Sequence, residues 1–467
     1  AFAKGWAMTD DMHRYTDETD ALSRAIVAYA RSRIASPQPL DGSATGEELS
    51  RRAGETITAG GIGSEEALRL WAEVLAPATI STDHPSSMAF VPGAPTKAAV
   101  LFDLVVGASS TIAAGWIDGA GAIWAENQAL RWLADLAGFP AEAGGVFVSG
   151  GSAGNLSALV AARARASARL GARPAGGWSI AVAESVHSSV ATAARVIDVG
   201  IVEVPGDERG RLTGAALSAT IEALDAQERA GVFAVVASAG ATNAGTVDEL
   251  GGVADACEAH GLWFHVDGAY GGAGLVAPSV RGRYRGIERA DSFIVDPHKW
   301  LFAPYDCCAL IYRDPRSAHG VFRQEAGYLD TVNQADAAWS EWNPADYAYH
   351  LSRRARGLPL WFSLATYGTD AYRDAVEHVL TLTRATAAEI RSREELELVM
   401  EPELSVVLFR RRGWADADYE AWWRRLLAAQ VAFVQPTSWR GEKLARLCFV
   451  NPRTTIDHVR AVLGAMT

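Results

Sequence analysis

Two short segments place reactive side chains directly after apolar runs. Lys299 lies in residues 295–300, which read Val-Asp-Pro-His-Lys-Trp, and Asp267 lies in residues 265–270, which read His-Val-Asp-Gly-Ala-Tyr. An amine in a partly desolvated pocket can attack an aldehyde, and a carboxylate can keep a bound ring nitrogen protonated. Each residue also has an ordinary interpretation, since most lysines are solvated and many aspartates cap helices or turns. The pair therefore needs further groups before it indicates a site.

Two other positions offer a flat ring and an anion site. His187 follows the apolar run 179–183, and its imidazole could stack on a bound ring; the alternative is a loop histidine beside a helix cap. The turn 150–155, which contains Gly151 and Ser152, leads into a helix and presents free N–H groups to a phosphate. It lacks the Gly-Lys-Ser/Thr of a nucleoside triphosphate loop, and a plain strand-to-helix connection is the alternative.

Three polar residues flank or follow Lys299. His298 could donate to a phosphate or a substrate carboxylate, or could merely pack, and Asp296 adds a carboxylate to the same segment. Tyr328 lies in the polar segment 320–331, where a tyrosine on a lid could deliver a proton; an ordinary loop tyrosine is the alternative. Together the amine, carboxylate, ring and phosphate turn predict a site for pyridoxal 5'-phosphate (PLP), an electron sink for carbanions.

Apolar runs that alternate with helices must position these groups. Helices are predicted at 123–136, 156–170, 188–196 and 248–259. Strands are predicted at 145–148, 178–183, 232–237, 262–267, 292–296 and 308–312. This alternation predicts the α/β class, with a mostly parallel sheet covered by helices on both faces. Ligands bind such sheets at the carboxyl ends of the strands, where the reactive residues lie.

Three parts are predicted along the chain. Residues 1–80 are helical and polar, bury little alone, and are expected to pack on another domain or subunit. Residues 81–355 form a large domain that carries the reactive groups, and residues 356–467 form a small α+β domain.

Composition excludes several partners. The chain has 467 residues, 49% hydrophobic and 21% charged, which is typical of a globular protein. Its net charge of -12 without a long single-sign run argues against nucleic acid or an anionic membrane. Four cysteines without metal-ligand spacing fit a reducing cytoplasm and predict no metal site. No apolar stretch is long enough for a membrane span, and no secretory signal pattern is visible.

As a set, the motifs resemble the group II PLP-dependent decarboxylases, the family of aromatic-L-amino-acid, histidine and glutamate decarboxylases. The matching segments are Ser-Gly-Gly-Ser at 149–152, His-Ser-Ser at 187–189, residues 265–270, Ala-Asp-Ser at 290–292, Asp-Pro-His-Lys-Trp at 296–300, and Tyr328. The resemblance implies the fold of aspartate aminotransferase (PLP fold type I). It also implies a homodimer with the active site at the subunit interface.

The resemblance also implies residue roles. Lys299 would form the Schiff base, Asp267 would pair with the pyridine nitrogen, and His187 would stack on the ring. The phosphate and the rest of the cofactor would be held by Gly151, Ser152, His298, Thr242 and Ala269.

Tyr328 would reprotonate the quinonoid carbon after carbon dioxide leaves, from a loop that reaches into the partner's site.

Two departures from the family pattern stand out. Many relatives have asparagine where Asp296 stands, and a carboxylate there would repel the phosphate unless it turns away. The Ser-Pro-Ala-x-Thr-Glu run of aromatic decarboxylases is replaced by residues 118–126, a region that lines the substrate pocket in the family.

The favoured function is decarboxylation of an L-amino acid to an amine and carbon dioxide. Aromatic substrates are expected because Phe90, Phe102 and Trp116 lie in the region that contributes the pocket. An acidic or other polar amino acid is the alternative substrate. Three other functions stay open: decarboxylation with oxidative deamination to an aldehyde, a silent PLP-binding scaffold, and a transaminase with Arg446 as candidate carboxylate ligand.

Overall fold

A seven-stranded sheet forms the centre of the computed structural model, which describes residues 11–323 and 342–467. Its strands are β1 (Gly144–Val148), β2 (Ser179–Ala183), β3 (Gly200–Val204), β4 (Val232–Ser238), β5 (Trp263–Asp267), β6 (Ser292–Val295) and β7 (Cys308–Tyr312). The order is β1-β7-β6-β5-β4-β2-β3. Strand β7 is antiparallel to β1 and β6, and the remaining neighbours pair in parallel. The predicted α/β class with a mostly parallel sheet is confirmed.

Helices cover both faces of this sheet. They are α1 (Asp17–Ala35), α2 (Gly46–Ala53), α3 (Ser64–Leu70), α4 (Lys97–Ala108), α5 (Trp116–Leu136), α6 (Gly151–Leu170), α7 (Ser188–Val196), α8 (Gly214–Ala223), α9 (Ala226–Gly231), α10 (Leu250–His260), α11 (Pro297–Trp300), α12 (Arg316–Phe322), α13 (Leu358–Arg391), α14 (Asp416–Ala428) and α15 (Ile456–Gly464). Within the described ranges, none of these helices has both the length and the apolar character that a membrane span requires.

Two helices begin earlier than predicted, because glycines were interpreted as loop residues. Helix α5 starts at Trp116 and α6 at Gly151. Gly119 is needed inside α5, since a Cβ there would lie 3.0 Å from the carbonyl oxygen of Ile112. Glycine costs a helix interior about 0.5–1 kcal/mol, which close packing can offset. Strand β3 was not predicted at all; it is a mostly exposed edge strand whose residues lack the continuous apolar pattern.

A second sheet lies in the C-terminal part of the chain. Its strands are β8 (Leu396–Leu398), β9 (Val406–Arg411), β10 (Thr437–Trp439) and β11 (Glu442–Cys448), antiparallel in the order β10-β11-β9-β8. Helices α1 and α2 bury no residue in the single chain. The division into parts 1–80, 81–355 and 356–467 stays a prediction.

Strand β5 shows how the sheet fits between the two helical layers. Phe264 and Val266 belong to the core on one face, whereas Trp263 belongs to the core on the other. Side chains alternate along a strand, so His265 and Asp267 share the face of Trp263. Helix α6 covers this face, and its side chains therefore meet the polar residues of β5.

A buried line of hydrogen bonds connects β6, β5 and α6. Trp263 Nε1 donates to Ser292 Oγ at 2.9 Å, and Ser292 Oγ lies 2.8 Å from His265 Nδ1. His265 Nε2 lies 2.9 Å from Asn155 Oδ1, and Asn155 Nδ2 donates to Asp267 at 2.8 Å. A carboxylate only accepts, so Asn155 offers its amide N–H to Asp267 and its oxygen to His265. The imidazole therefore carries its proton on Nε2 and accepts from Ser292.

Burial keeps this imidazole neutral. Desolvation lowers the pKa of His265 to about 4, against the opposing charge of Asp267. The neutral ring joins a strand to a helix through both of its nitrogens.

A pH-dependent part of the stability is expected from His265. An unfolded histidine has a pKa of about 6.5, so this contribution is complete above pH ~6.5 and is lost as the pH falls towards ~4. Its size is on the order of 3 kcal/mol. In urea unfolding at pH about 7.5 and about 4.5, His265→Gln should lose less stability on acidification than the parent. The exposed His378→Gln is the matched control and should follow the parent. Equal acid sensitivity of all three proteins would contradict the expectation.

Candidate active site

The carboxyl ends of β4, β5 and β6 and the first turn of α6 enclose a cavity of about 230 Å³. Its lining residues are Gly150, Gly151, Ser152, Asn155, His187, Ser189, Ser238, Gly240, Ala241, Thr242, Asp267, Ala269, Tyr270, Asp296, His298 and Lys299. The structure thus brings together, in one cavity, eight residues predicted from the sequence: Lys299, Asp267, His187, Gly151, Ser152, Thr242, Ala269 and His298.

Asp267 has a firmly held carboxylate. It is 7% exposed, and its Oδ1 accepts from the backbone N–H of Ala269 at 3.0 Å. Its Oδ2 accepts from Asn155, whose amide also donates to Ser189 Oγ at 3.1 Å. Donors of this kind stabilise the negative charge of a buried carboxylate. Asp267 can therefore pair with a cation that enters the cavity.

His187 combines the two interpretations of its sequence context. It is the N-cap of α7, where its Nδ1 accepts from the backbone N–H of Ser189 at 3.2 Å and lies 2.8 Å from Ser189 Oγ. Because Nδ1 accepts, the neutral ring carries its proton on Nε2. The residue is exposed and lines the cavity.

The opposite end of the cavity suits an anion. Helix α6 spans 20 residues, and its N-cap Gly150 makes no side-chain cap bond. The first N–H groups of a long helix point along its axis and favour negative charge. His298 Nδ1 accepts from the backbone N–H of Cys307 at 2.9 Å, which leaves an N–H on Nε2. Gly151, Ser152 and His298 could together hold a phosphate.

Lys299 is paired with a second buried acid. Its Nζ lies 2.9 Å from Asp296 Oδ2, and the Asp296 side chain is 2% exposed. Burial lowers the pKa of the Lys299 amine, but the charge and hydrogen bond of Asp296 outweigh it and hold that pKa above its usual value. The same Asp296 oxygen accepts from the backbone N–H of Gly151 at 3.3 Å. Asp296 Oδ2 thus contacts both the amine of Lys299 and a backbone N–H in the first turn of α6.

Three groups suited to PLP thus occupy one cavity. The N-terminus of a long helix matches a phosphate, a buried carboxylate with fixed donors matches a ring nitrogen, and an amine matches an aldehyde. The residues present fit the cofactor.

Sequence reasoning missed Asn155, which joins Asp267 to both Ser189 and His265. The available signal was its spacing, since it stands four residues after Gly151 and so lies on the same face of α6. Tyr270 was quoted only as part of a motif. Its ring stacks on Trp300 at a centroid distance of 5.5 Å.

Four predicted site residues are not placed in this cavity. Tyr328 lies outside the described residues. Phe90, Phe102 and Trp116 are absent from the lining of the cavity in the described part of the chain. Phe90 is 59% exposed, and Phe102 stacks on Phe362 at 4.1 Å.

Arg446 is already occupied in the described structure. It donates to the carbonyl oxygens of Phe90 at 2.8 Å, Thr242 at 2.7 Å and Asn243 at 3.2 Å. It ties the small sheet to the loop after β4, and this engagement weakens its candidacy as a substrate ligand.

Comparisons with known proteins agree with this geometry. The model of the pyridoxal-dependent decarboxylase conserved domain matches residues 65–412. An aromatic-L-amino-acid decarboxylase of Bacillus atrophaeus is 33% identical over 392 residues, covering 82% of this chain and 80% of the relative. An L-2,4-diaminobutyrate decarboxylase of Rhizobium meliloti (strain 1021) is 32% identical over 392 residues, covering 82% of this chain and 77% of the relative.

Among solved structures, TDC of Oryza sativa with PLP and tryptamine superposes with a TM-score of 0.87. That pair shares 26% sequence identity, and the match covers 97% of both chains. The predicted PLP cofactor and fold type I are confirmed. The protein is a PLP-dependent carboxy-lyase, and the chain belongs to the pyridoxal-dependent decarboxylase family.

Proposed function

We propose that the protein decarboxylates an L-amino acid to the amine and carbon dioxide, with aromatic amino acids favoured. The observation that carries this proposal is the cavity of about 230 Å³ that holds Lys299 and Asp267 beside the N-terminus of α6. Bound PLP supplies an acceptor for the electron pair that the departing carboxylate group leaves behind.

Each of the eight lining residues predicted from the sequence has a task in this proposal. Lys299 binds the cofactor covalently through its amine, and Asp267 holds a proton at the ring nitrogen. The N–H groups of Gly151, Ser152 and His298 bind the phosphate. His187 stacks on the ring, and Thr242 and Ala269 border it.

Tyr328 is proposed to return a proton to Cα once carbon dioxide has left. The support is the family resemblance and the polar, glycine-bearing sequence around it. A phenolic donor at that point yields the amine. Its loss leaves the carbon open to oxygen, which is the route to an aldehyde.

The aromatic preference is supported by the aromatic-L-amino-acid decarboxylase at 33% identity. The diaminobutyrate decarboxylase at 32% identity keeps a polar amino acid as the alternative substrate, because the two identities are nearly equal. Phe90, Phe102 and Trp116 could serve the pocket only if it is completed across a subunit interface.

A homodimer is the proposed assembly. Large apolar side chains are exposed in the single chain along α4 and α5, including Leu101, Leu104, Val105, Ile117 and Trp124. Exposed large apolar side chains concentrated on two helices are typical of an interaction site. The unburied helices α1 and α2 offer further surface to the partner.

Four unpaired cysteines support a reducing compartment such as the cytoplasm.

A panel of L-amino acids tests the activity. Amine and carbon dioxide should appear in equal amounts, fastest with aromatic substrates, and Lys299→Ala should lower the rate at least ~10³-fold. Product analysis should include aldehyde and hydrogen peroxide. Failure of every amino acid to release an amine or an aldehyde would refute the proposal.

Tyr328→Phe tests the proton donor. Amine formation should fall about 10²-fold, and aldehyde with hydrogen peroxide should rise, because Cα is no longer protonated promptly. Tyr349→Phe, at an exposed tyrosine, is the matched control and should keep the amine product. Unchanged amine output from Tyr328→Phe would remove this residue from the role.

Leu104→Glu tests the dimer. Leu104 is 58% exposed on α4, and a charge in a buried interface should shift the protein towards the monomer in sedimentation velocity. Val196→Glu, at a residue 66% exposed on α7, is the control and should leave the assembly unchanged. A monomeric parent, or a Leu104→Glu dimer as stable as the parent, would count against the assignment.

A further inference from the structure

Asp296 is a buried carboxylate with few hydrogen-bond donors. Its Oδ2 contacts Lys299 Nζ at 2.9 Å and the backbone N–H of Gly151 at 3.3 Å. Its Oδ1 is buried and makes no hydrogen bond within the described residues. A buried carboxylate with this few donors depends strongly on its ionic partner.

The charged partner of Asp296 is Lys299. His298 Nε2 lies 3.5 Å from Asp296, but burial lowers the pKa of that imidazole and favours its neutral form. Burial likewise raises the pKa of the Cys308 thiol, and the charge of Asp296 and a weak thiol hydrogen bond to it add to the effect. The other titratable groups that face Lys299 in the described residues are Asp267, Tyr305 and Cys448.

The contact with Gly151 places Asp296 in competition with a phosphate. The first turn of α6 is the proposed phosphate site, and the Gly151 N–H is one of its donors. At 3.3 Å its bond to Asp296 is long, and a phosphate oxygen is a stronger acceptor. Phosphate binding would therefore remove a donor from Asp296 and bring negative charge close to it.

The added charge acts on both Asp296 and Lys299, whereas the lost donor raises the proton affinity of the carboxylate alone. The nearest proton belongs to the Lys299 ammonium, 2.9 Å away. An ammonium has no lone pair and cannot attack an aldehyde, whereas the free amine can. The same event that seats the phosphate thus favours transfer of the proton that blocks the nucleophile.

We propose that Asp296 is a further catalytic residue that couples phosphate binding to activation of Lys299. The coupling rests on the proposed roles of Lys299 and Gly151. When the phosphate binds, one proton passes from the Lys299 ammonium to the Asp296 carboxylate. The freed amine then condenses with the cofactor aldehyde, which forms one C=N bond and releases one water. No oxidant or reductant takes part.

The coupling makes the anion a condition for the reaction. Pyridoxal carries the aldehyde but no phosphate. Lys299 should therefore stay protonated in its presence, and the condensation should be slow. Inorganic phosphate, supplied separately, should occupy the first turn of α6 and restore part of the rate. An asparagine at position 296 can accept the Gly151 N–H but cannot take up a proton.

The experiment follows condensation by absorbance in the full-length protein stripped of cofactor. For the parent, pyridoxal should react at least tenfold more slowly than PLP at neutral pH, and inorganic phosphate should accelerate it several-fold. Asp296→Asn should react with pyridoxal about tenfold faster than the parent, with no phosphate effect and with a rate–pH profile shifted to lower pH. Asp296→Glu, which keeps the carboxylate, should retain the phosphate effect.

Several outcomes would overturn the coupling. One is a parent protein whose rate of reaction with pyridoxal does not change when phosphate is added. This measurement does not depend on whether the variants fold. A second is an Asp296→Asn protein that keeps the phosphate acceleration, which would give Asp296 only a structural role. A third is rapid condensation by Lys299→Ala, which would also remove the proposed function. A normal Lys299 adduct without a phosphate effect would remove the coupling alone.

Discussion

A buried carboxylate at the carboxyl end of a central strand must be surrounded by hydrogen-bond donors. The arrangement of the side chains in this site follows from that requirement at Asp267. One donor is the N–H of Ala269, supplied by the turn after β5, and the other is the amide of Asn155 on α6. Asn155 reaches the sheet because α6 lies very close to it: a Cβ at Gly154 would come within 2.7 Å of Ile294. The glycines of the turn therefore serve close packing as well as any phosphate.

Two acids flank one cavity and differ through their partners. Asp267 has neutral donors that fix its orientation whether or not a ligand is present. Asp296 has a charged partner, Lys299, and shares the Gly151 N–H with the proposed phosphate site. The first arrangement suits a permanent negative charge, whereas the second suits a group that exchanges a proton. The adjacent ends of β5 and β6 thus carry acids with different chemistry.

The sequence was most informative where chemistry and strand pattern coincide. Strands β5 and β6 are mostly apolar and end near Asp267 and Lys299, so the meeting of these side chains followed from parallel topology alone. The starts of α5 and α6 were missed because Gly119 and Gly151 look like turn residues until their packing is known.

Contacts between distant segments were beyond sequence reasoning. The role of Asn155 depends on how closely α6 approaches the sheet, and a sequence does not specify that distance. The turn of Asp296 towards Lys299 likewise depends on side-chain geometry. Aromatic residues such as Phe102 can fill a core as readily as a pocket, and residue type alone does not separate the two.

The proposed function requires the amine of Lys299 and the carboxylate of Asp267 to bind the same cofactor ring. Borohydride reduction of the PLP-loaded protein, followed by peptide mapping, measures this most directly. The pyridoxyl group should be found on Lys299, and Asp267→Asn protein should form the same adduct with an altered absorbance spectrum. A pyridoxyl group on any other residue would contradict the account.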